Sequence, residues 1–375
     1  MLEVIFWASL LGAIYSYFLY PALLHLVPSR RKAMSEEDGQ KPRISLIVTA
    51  RNEAKRIREK IENCLEIDYP DLQIIVASDA SDDGTDDIVR EYAGQGVSVV
   101  RAHERKGKEY AQLQAINEAE GEILVFSDVA TRIPEEALQK LAAYFRDPGV
   151  GAVSSEDRFL TRDGKVAGEG AYVRYEMWLR RLESDKAGLV GLSGSFFAAR
   201  KEVCQSWDIL SPSDFNTALN CATGGFVAVT APDVHGYYED VADTKKEYER
   251  KLRTIIRGLT ALERHPNVLN PFKYRWFTFQ VLSHKVLRWA VPWFLLLLLI
   301  TTLLLNHKGG IYSLAMLGQL VFYGIVVAGY LKPGLQTRSV VKIPLFFVQV
   351  NIAIAHATVK FLSGTRMTVW TPSQR

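Results

Sequence analysis

Carboxylates at the ends of apolar runs are the residues of this sequence best placed to do chemistry. They fall in three clusters, Thr49 to Glu53, Asp79 to Thr85 and Ser127 to Asp128, and each cluster directly follows a run of apolar, β-rich residues. Carboxylate oxygens hold Mg²⁺ and Mn²⁺, and a carboxylate can accept a proton from a hydroxyl group. The clusters therefore predict a site that binds a cation, accepts a proton, or does both.

The positions of the clusters also predict the elements that hold them. Each apolar run, such as Ile44 to Thr49 or Ile123 to Phe126, is followed by a helical pattern. This is the βαβ order of a parallel sheet. In open α/β sheets, ligands bind beyond the carboxyl ends of the strands. We therefore expect an α/β fold in which the three clusters meet at one edge of a sheet.

The order of the clusters resembles the family 2 inverting glycosyltransferases, which have a GT-A nucleotide-sugar-binding fold. Four motifs carry the resemblance in the family's order. They are Val48 with Asn52 and Glu53; the run Asp79 to Thr85, with Ser78 and Ala80 in place of the family's Asp and Gly; Gly107-Lys108; and Asp128-Val129-Ala130 in place of D-x-D. The resemblance extends to about residue 260 and, more loosely, into the apolar segments that follow. It implies a GT-A (Rossmann-like) domain joined to transmembrane helices.

The resemblance implies a donor site at these strand ends. In the family, the residue at the place of Asp79 contacts the base and the ribose, and Thr49 and Glu53 would lie against the same nucleoside. Lys108 would reach the diphosphate, helped by the dipole of the following helix. Structural alternatives stay open for two of these residues. Asp79 also suits a turn or a helix cap, and Lys108 also suits a solvated basic turn.

Asp128 is the one acidic residue of the expected D-x-D motif. In the family the first Asp binds ribose or sugar and the second coordinates Mg²⁺ or Mn²⁺, but Ala130 at the second place ligates nothing. Three outcomes stay open: Asp128 holds the metal with another carboxylate, the metal is bound weakly, or the reaction proceeds without one. His235, Glu239 and Asp240 are candidate substitutes, because imidazole and carboxylate both ligate Mn²⁺.

The segment Gly191 to Val203 resembles the part of the family that lines the acceptor site, which places Ser193 and Gly194 beside the acceptor. Asp214 falls on the family position of the catalytic base. Such a base must be ionised and must then accept the proton of the attacking hydroxyl. The alternative is that Asp214 caps a helix, since Ser-Pro-Ser-Asp is also an N-cap pattern.

Arg250 and Arg253 lie where the processive members of the family, of the cellulose and hyaluronan synthase type, have Q-x-x-R-W. The Arg is present here, but the Gln and the Trp are not. Arginine binds phosphate bidentately, so the pair is expected to hold a diphosphate of the donor or of a lipid-linked acceptor. The alternative is a basic helix face that rests on lipid headgroups.

Composition and hydropathy indicate a membrane protein. The 45 Lys and Arg nearly balance the 42 Asp and Glu, so bulk charge does not indicate a nucleic-acid partner. The three cysteines have neither metal nor disulfide spacing and fit reduced cytosolic thiols. Apolar residues concentrate before Val27 and after Trp289. Arg30 to Lys32 follow the first apolar span, so the positive-inside rule places the segment after it in the cytoplasm.

The predicted organisation has six parts. They are an N-terminal transmembrane helix at 1–29, a linker at 30–42, a cytoplasmic GT-A domain at 43–266, an amphipathic interface helix at 267–288, transmembrane segments at 289–364 and a tail at 365–375. The tail loosely resembles the W-G-T-R ending of hyaluronan synthases, so we expect it on the cytoplasmic face.

These features predict a multi-pass inverting glycosyltransferase of the plasma (inner) membrane. Its donor would be a nucleotide sugar, UDP-linked by preference. Its acceptor would be a lipid-linked or polymeric glycan of surface polysaccharide synthesis, and membrane lipids would be further partners. Two rivals stay open. One is a polyprenyl-phosphate glycosyltransferase. The other is a weakly catalytic, nucleotide-sugar-binding subunit of a polysaccharide assembly, which the missing carboxylate at Ala130 suggests.

Overall fold

The computed structural model describes residues 1–31, 41–160, 170–239 and 244–367. Its strands are β1 (Ile44–Ala50), β2 (Leu72–Ser78), β3 (Val97–Arg101), β4 (Ile123–Asp128), β5 (Val150–Leu160), β6 (Phe196–Arg200) and β7 (Val227–Glu239).

The α-helices run through the whole described chain. They are α1 (Leu2–Ile14), α2 (Tyr20–Leu24), α3 (Ile57–Leu65), α4 (Thr85–Arg90), α5 (Lys108–Glu118), α6 (Ala137–Tyr144), α7 (Ala171–Ser184), α8 (Ser213–Thr223), α9 (Thr244–Arg264), α10 (Pro271–Val281), α11 (Leu287–Leu305), α12 (Ile311–Leu331) and α13 (Ser339–Leu362). Two π-helical turns, Tyr15–Leu19 and Leu282–Val286, follow α1 and α10.

The chain forms two compact units. The sheet unit comprises Val27–Asp243, Thr260–Gln280 and Met367–Arg375, and the helical unit comprises Met1–Leu26, Thr244–Leu259 and Val281–Arg366. The first part of α9 therefore groups with the apolar helices, although the sequence places it inside a domain that ends at 266. The six-part organisation otherwise stays a prediction, and residues 368–375 of the predicted tail lie outside the described residues.

The sheet unit is built on one seven-stranded sheet in the order β3-β2-β1-β4-β6-β5-β7. Strands β3, β2, β1 and β4 are parallel, β6 is antiparallel to both β4 and β5, and β7 is parallel to β5. The α/β fold predicted from the βαβ rhythm is therefore confirmed. The antiparallel β6 is an addition that the rhythm did not predict.

Helices cover both faces of the sheet, which explains why the strand sequences are apolar without alternation. Every residue of β1 is buried. Ile44, Leu46 and Val48 face a core that includes residues of α3 and α6, whereas Ile47 faces a second core that includes residues of α5 and α8. Two covered faces leave the strand ends as the place where polar side chains can meet a ligand.

The helical unit contains long, apolar helices. Four helical stretches of the described chain are long and apolar enough to cross a membrane: Leu2–Leu24, Pro271–Lys308, Ile311–Leu331 and Ser339–Leu362. The second has 38 residues, whereas about 20 residues suffice to span a bilayer, so only part of it fits the hydrocarbon. Helix α10 forms the start of this second stretch and is interrupted at Arg275, where φ is 46° and ψ is −114°.

Candidate active site

The carboxyl ends of β1, β2 and β4 meet at one edge of the sheet, as the sequence predicts. Thr49 of β1 lies opposite Asp128 of β4, and Ala50 lies opposite Ser78, the residue before Asp79. Because these strands are parallel, the polar clusters that follow them share the edge where α/β proteins bind ligands.

Asp79 has a fully buried side chain with one oxygen that no described group binds. Its Oδ1 accepts the backbone N–H groups of Lys106, at 3.2 Å, and of Gly107, at 3.0 Å. Its Oδ2 is buried and has no hydrogen-bond partner within the described part of the chain. Such an unsatisfied acceptor costs about 1–3 kcal/mol. One oxygen therefore organises the loop before α5, and the other is left for a donor group of a ligand.

The loop after β2 is held in a strained conformation. Ala80 has φ of 53°, a left-handed conformation that an L-residue other than glycine adopts at a cost of about 1–2 kcal/mol. The Arg51 guanidinium donates to the carbonyls of both Asp79, at 3.2 Å, and Ala80, and it pairs with Asp82 at 3.1 Å. Arg51 was not predicted as a site residue, although its place beside Asn52 and Glu53 could have suggested it.

Lys108 and Asp128 form an ion pair at the centre of the edge. Lys108 is the first residue of α5, and its Nζ lies 2.6 Å from Asp128 Oδ1 and donates to the carbonyl of Gly194 at 2.8 Å. The Lys108 side chain is 8% exposed and that of Asp128 is 32% exposed. Lys108 is thus not part of a solvated turn, and the Asp128 carboxylate is still accessible to a ligand.

Glu53 and Thr49 are buried, and their side chains bind groups of the protein. Glu53 Oε2 accepts two hydrogen bonds from the Arg56 guanidinium, at 2.9 and 2.5 Å. Burial raises the pKa of the Glu53 carboxyl, against the effect of Arg56, and the negative charge of Asp128 adds to the rise. Thr49 Oγ1 is buried and accepts the side-chain amide of Gln112 at 3.1 Å. Their contact with a nucleoside stays a prediction.

Asp214 lies beside Gly194, the residue whose carbonyl accepts the Lys108 ammonium. The Leu192 N–H donates to the Asp214 carbonyl at 3.3 Å, and a Cβ added to Gly194 would lie 3.7 Å from Asp214 Cγ and Oδ2. Helix α8 has Pro212 at its N-cap and no side-chain cap hydrogen bond. The structure therefore does not use the Asp214 carboxylate as the helix cap that the Ser-Pro-Ser-Asp pattern suggested.

Asp157 was not predicted as a site residue. Its carboxylate anchors the loop that contains Ser193 and Ser195. Its Oδ1 accepts the hydroxyls of Ser193, at 2.6 Å, and Ser195, at 2.7 Å. Burial raises the pKa of the Asp157 carboxyl, and the two serine hydroxyls oppose that rise. The Ser195 carbonyl in turn accepts the N–H of Asp128 at 3.0 Å. The available signal was a carboxylate in the apolar strand β5.

Residues 45–207 match the family model described as glycosyl transferase family 2. This chain carries a family 2 glycosyltransferase domain. The matched range contains the strand-end residues from Thr49 to Asp128 and the loop with Ser193 and Gly194, and it ends before Asp214. The family predicted from the four motifs is therefore confirmed.

The chain is similar to several curated proteins. A poly-beta-1,6-N-acetyl-D-glucosamine synthase of Staphylococcus epidermidis is 24% identical over 212 residues, which are 54% of this chain and 50% of that protein. An N-acetylglucosaminyltransferase of Rhizobium leguminosarum bv. trifolii is 28% identical over 170 residues, 41% of this chain and 93% of that protein. A beta-monoglucosyldiacylglycerol synthase of Trichormus variabilis is 25% identical over 194 residues, 48% of this chain and 40% of that protein. The matches with the two synthases thus span half of their length or less.

The fold of the chain also has a solved counterpart. A mannosyltransferase of Pyrobaculum calidifontis, determined in complex with GDP-Man and Mn²⁺, superposes with a TM-score of 0.73 at 24% identity, and the alignment covers 96% of this chain and 99% of that one. This likeness concerns the fold, and it confirms the GT-A class that the sequence predicts.

The described residues of the chain do not form a preassembled metal site. No group of three or more His, Cys, Asp or Glu among them could hold a metal ion, and Asp128 Oδ1 already pairs with Lys108. His235 lies on β7 opposite Glu156. Asp240 and the side chain of Glu239 lie outside the described residues.

Arg250 and Arg253 belong to α9, in the helical unit of the chain. Burial lowers the pKa of Arg253, and the positive charges of Arg257 and Arg250 lower it further. Residues spaced by three and four positions share one helix face, so these arginines form a cationic stripe. Such a stripe suits an anionic group. That Arg250 and Arg253 bind a diphosphate stays a prediction.

Proposed function

We propose that this family 2 glycosyltransferase transfers a sugar from a UDP-linked nucleotide sugar to a membrane-associated glycan or lipid-linked saccharide, with inversion at the anomeric carbon. One observation carries the proposal. Lys108, which pairs with Asp128, donates to the Gly194 carbonyl, and the Asp214 carboxylate also lies next to Gly194. A donor held by the ion pair and an acceptor activated by Asp214 would meet beside that glycine.

On the donor side, charge and orientation come from different residues. The Lys108 ammonium offsets the charge of the diphosphate, and the N-terminus of α5 adds its dipole to that effect. Asp79 Oδ2, which is buried and unpaired among the described residues, accepts a donor group of the nucleoside. Asp128, which is 32% exposed, accepts hydroxyl groups of the ribose or the sugar. A Mg²⁺ or Mn²⁺ ion, if it arrives with the nucleotide, would be held by Asp128 and would neutralise the leaving diphosphate.

On the acceptor side, Asp214 acts as the general base. The acceptor hydroxyl gives its proton to Asp214 while its oxygen forms a bond to the anomeric carbon. The bond from that carbon to the diphosphate oxygen breaks, and the electron pair leaves with the nucleoside diphosphate. A single displacement of this kind inverts the configuration. General bases contribute about 10²- to 10⁴-fold to such reactions.

The membrane part of the proposal rests on the four apolar helical stretches. We place the chain in the plasma (inner) membrane as a multi-pass protein with its sheet unit in the cytoplasm. Phe272 and Trp276 are 93% and 47% exposed and alternate with basic residues, which suits the lipid interface. The native cysteines are buried, so cysteines added at Gly310 and Gly334 can be labelled selectively. Labelling of Gly334→Cys from outside the cell would refute this topology.

The function is tested with a panel of nucleotide sugars. UDP-N-acetylglucosamine, UDP-glucose and GDP-mannose are compared for thermal stabilisation of the purified full chain, because a ligand of the folded state raises its apparent stability. The stabilising donor is then incubated with membranes, and NMR follows the anomeric configuration of the product. We expect one donor to stabilise the chain and to give an inverted product, whereas a retained configuration would rule out the single displacement.

The rivals predict other results from the same panel. A polyprenyl-phosphate glycosyltransferase would transfer sugar to a lipid phosphate and would keep most of its turnover in Asp214→Asn, because a phosphate needs little help from a base. A weakly catalytic subunit would be stabilised by a donor without releasing its nucleoside diphosphate.

A further inference from the structure

Lys60 is a buried lysine that has no role in the proposed catalytic mechanism. It lies on the buried face of α3, beside Ile61 and Cys64, and is 3% exposed. Its Nζ donates to Ser127 Oγ at 2.9 Å and to the Thr131 carbonyl at 2.5 Å. Both of its hydrogen-bond acceptors are uncharged. Within the described ranges no carboxylate forms an ion pair with it.

The position of Lys60 carries an energetic cost that its contacts only partly offset. Burial lowers the pKa of Lys60, while the Cys64 thiol and the Asp128 carboxylate oppose that shift. An ammonium group is expensive to take out of water unless it is paired. A methionine of similar length would pack there without that cost. The charge is therefore better explained by what it does at the sheet edge than by packing.

The two contacts of Lys60 lead to the same carbonyl. Ser127 Oγ donates to the Asp128 carbonyl at 3.1 Å, and the Thr131 N–H donates to that carbonyl at 3.1 Å as well. Lys60 therefore holds both ends of the turn from Ser127 to Thr131, and Asp128 lies within it. Ala130, which stands where the family resemblance implies a second carboxylate, belongs to the same turn.

We infer that Lys60 is a positioning residue that acts through Ser127 and Thr131 to hold the Asp128 carboxylate in its donor-binding orientation. Lys60 supports the turn through Ser127 and Thr131, and Lys108 pairs with the Asp128 side chain at 2.6 Å. The backbone and the side chain of Asp128 are thus held by different lysines. This inference rests on the proposed function, since it concerns how the same donor site is organised.

The test compares Lys60→Met with the same substitution at an exposed lysine. Lys201 also donates to a backbone carbonyl, that of Ala119, at 2.6 Å, but its own N–H bonds to Glu122, before the start of β4, so Lys201→Met is the control. The readouts are the affinity for the stabilising nucleotide sugar, kcat and KM, and the melting temperature of the full chain. Residues that support a binding group typically contribute about 10- to 100-fold, so we expect that loss of donor affinity in Lys60→Met and wild-type affinity in Lys201→Met.

Ser127→Ala tests the same link without removing the buried charge. It should weaken donor binding in the same direction, and the double variant with Lys60→Met should lose less than the product of the two single losses, because both act through one turn. Wild-type donor affinity in a folded Lys60→Met protein would overturn the inference. If Lys60→Met does not fold, wild-type affinity in Ser127→Ala would overturn it. Failure of the wild-type chain to bind any nucleotide sugar would instead refute the proposed function.

Discussion

Gly194→Ala is the substitution that the site geometry makes most informative. The added methyl group would lie 3.7 Å from Cγ and Oδ2 of Asp214, which is an ordinary van der Waals distance. The backbone of Gly194 is not in the left-handed region, so alanine adopts its conformation without strain. The protein should therefore fold, and alanine should stabilise it by about 0.4–1 kcal/mol through the lower entropy of the unfolded chain.

The expected effect on catalysis follows from the same distance. An acceptor hydroxyl must approach Asp214 to about 2.6–3.2 Å to give up its proton. The methyl group would lie against the Asp214 carboxylate and would restrict the approach of an acceptor on that side. An acceptor oxygen pushed back by about 1 Å loses on the order of 10²-fold in rate. Donor binding, which uses Asp79, Lys108 and Asp128, should change little.

The assay measures kcat, the donor affinity and the melting temperature of Gly194→Ala beside those of Gly94→Ala. Gly94 is a suitable control because a Cβ added there meets no atom within 4 Å. We expect an equal or higher melting temperature, wild-type donor affinity and a turnover about 10²-fold lower for Gly194→Ala alone. Wild-type turnover in the folded variant would show that the acceptor does not approach Asp214 past Gly194.

Three further perturbations have defined outcomes. Asp128→Ala should abolish donor binding or turnover. Calorimetry on the nucleotide-free wild-type chain should find only weak Mn²⁺ binding. Tight Mn²⁺ binding would reveal a ligand set outside the described residues. Ala80→Gly should raise the melting temperature, by a net gain of about 0.5–1 kcal/mol, because glycine relieves the left-handed cost; a lower melting temperature would argue against strain at φ of 53°. The pKa of Asp157 is raised, so its contribution to stability is full below the unfolded value of about 3.9 and is lost as pH rises through the folded value. The melting temperature of Asp157→Asn relative to wild type should therefore rise from acidic to neutral pH, and a pH-independent difference would contradict the burial argument.

The parts of the site that the sequence predicts are those coded by local pattern. Strands buried on both faces need continuous apolar runs, and those runs located the ends of β1, β2 and β4 and hence Asp79 and Asp128. The sequence also predicts that Lys108 follows a glycine at the start of a helix. It does not predict the ion pair of Lys108 with Asp128, because the partners are 20 positions apart and only the packing of α5 on the sheet brings them together.

The residues that the sequence analysis overlooked depend on long-range packing. Lys60 and Ser127 are 67 positions apart, and the Asp157 carboxylate reaches Ser193 across 36 positions. From the sequence alone, Lys60 resembles a solvated residue on a helix, and Asp157 resembles a charged residue near the end of a strand. Neither pattern predicts a partner, since the pairing of β5 with β6 and the docking of α3 decide it. The strain at Ala80 is likewise a property of backbone conformation.

The role of Asp214 as general base is tested most directly by the turnover of Asp214→Asn, with donor affinity measured on the same preparation. We expect wild-type affinity for the stabilising nucleotide sugar and a transfer rate lower by about 10²-fold or more, the scale of a lost general base. Transfer at the wild-type rate by a folded Asp214→Asn chain would contradict the role given to Asp214 and would favour an acceptor, such as a lipid phosphate, that needs no base.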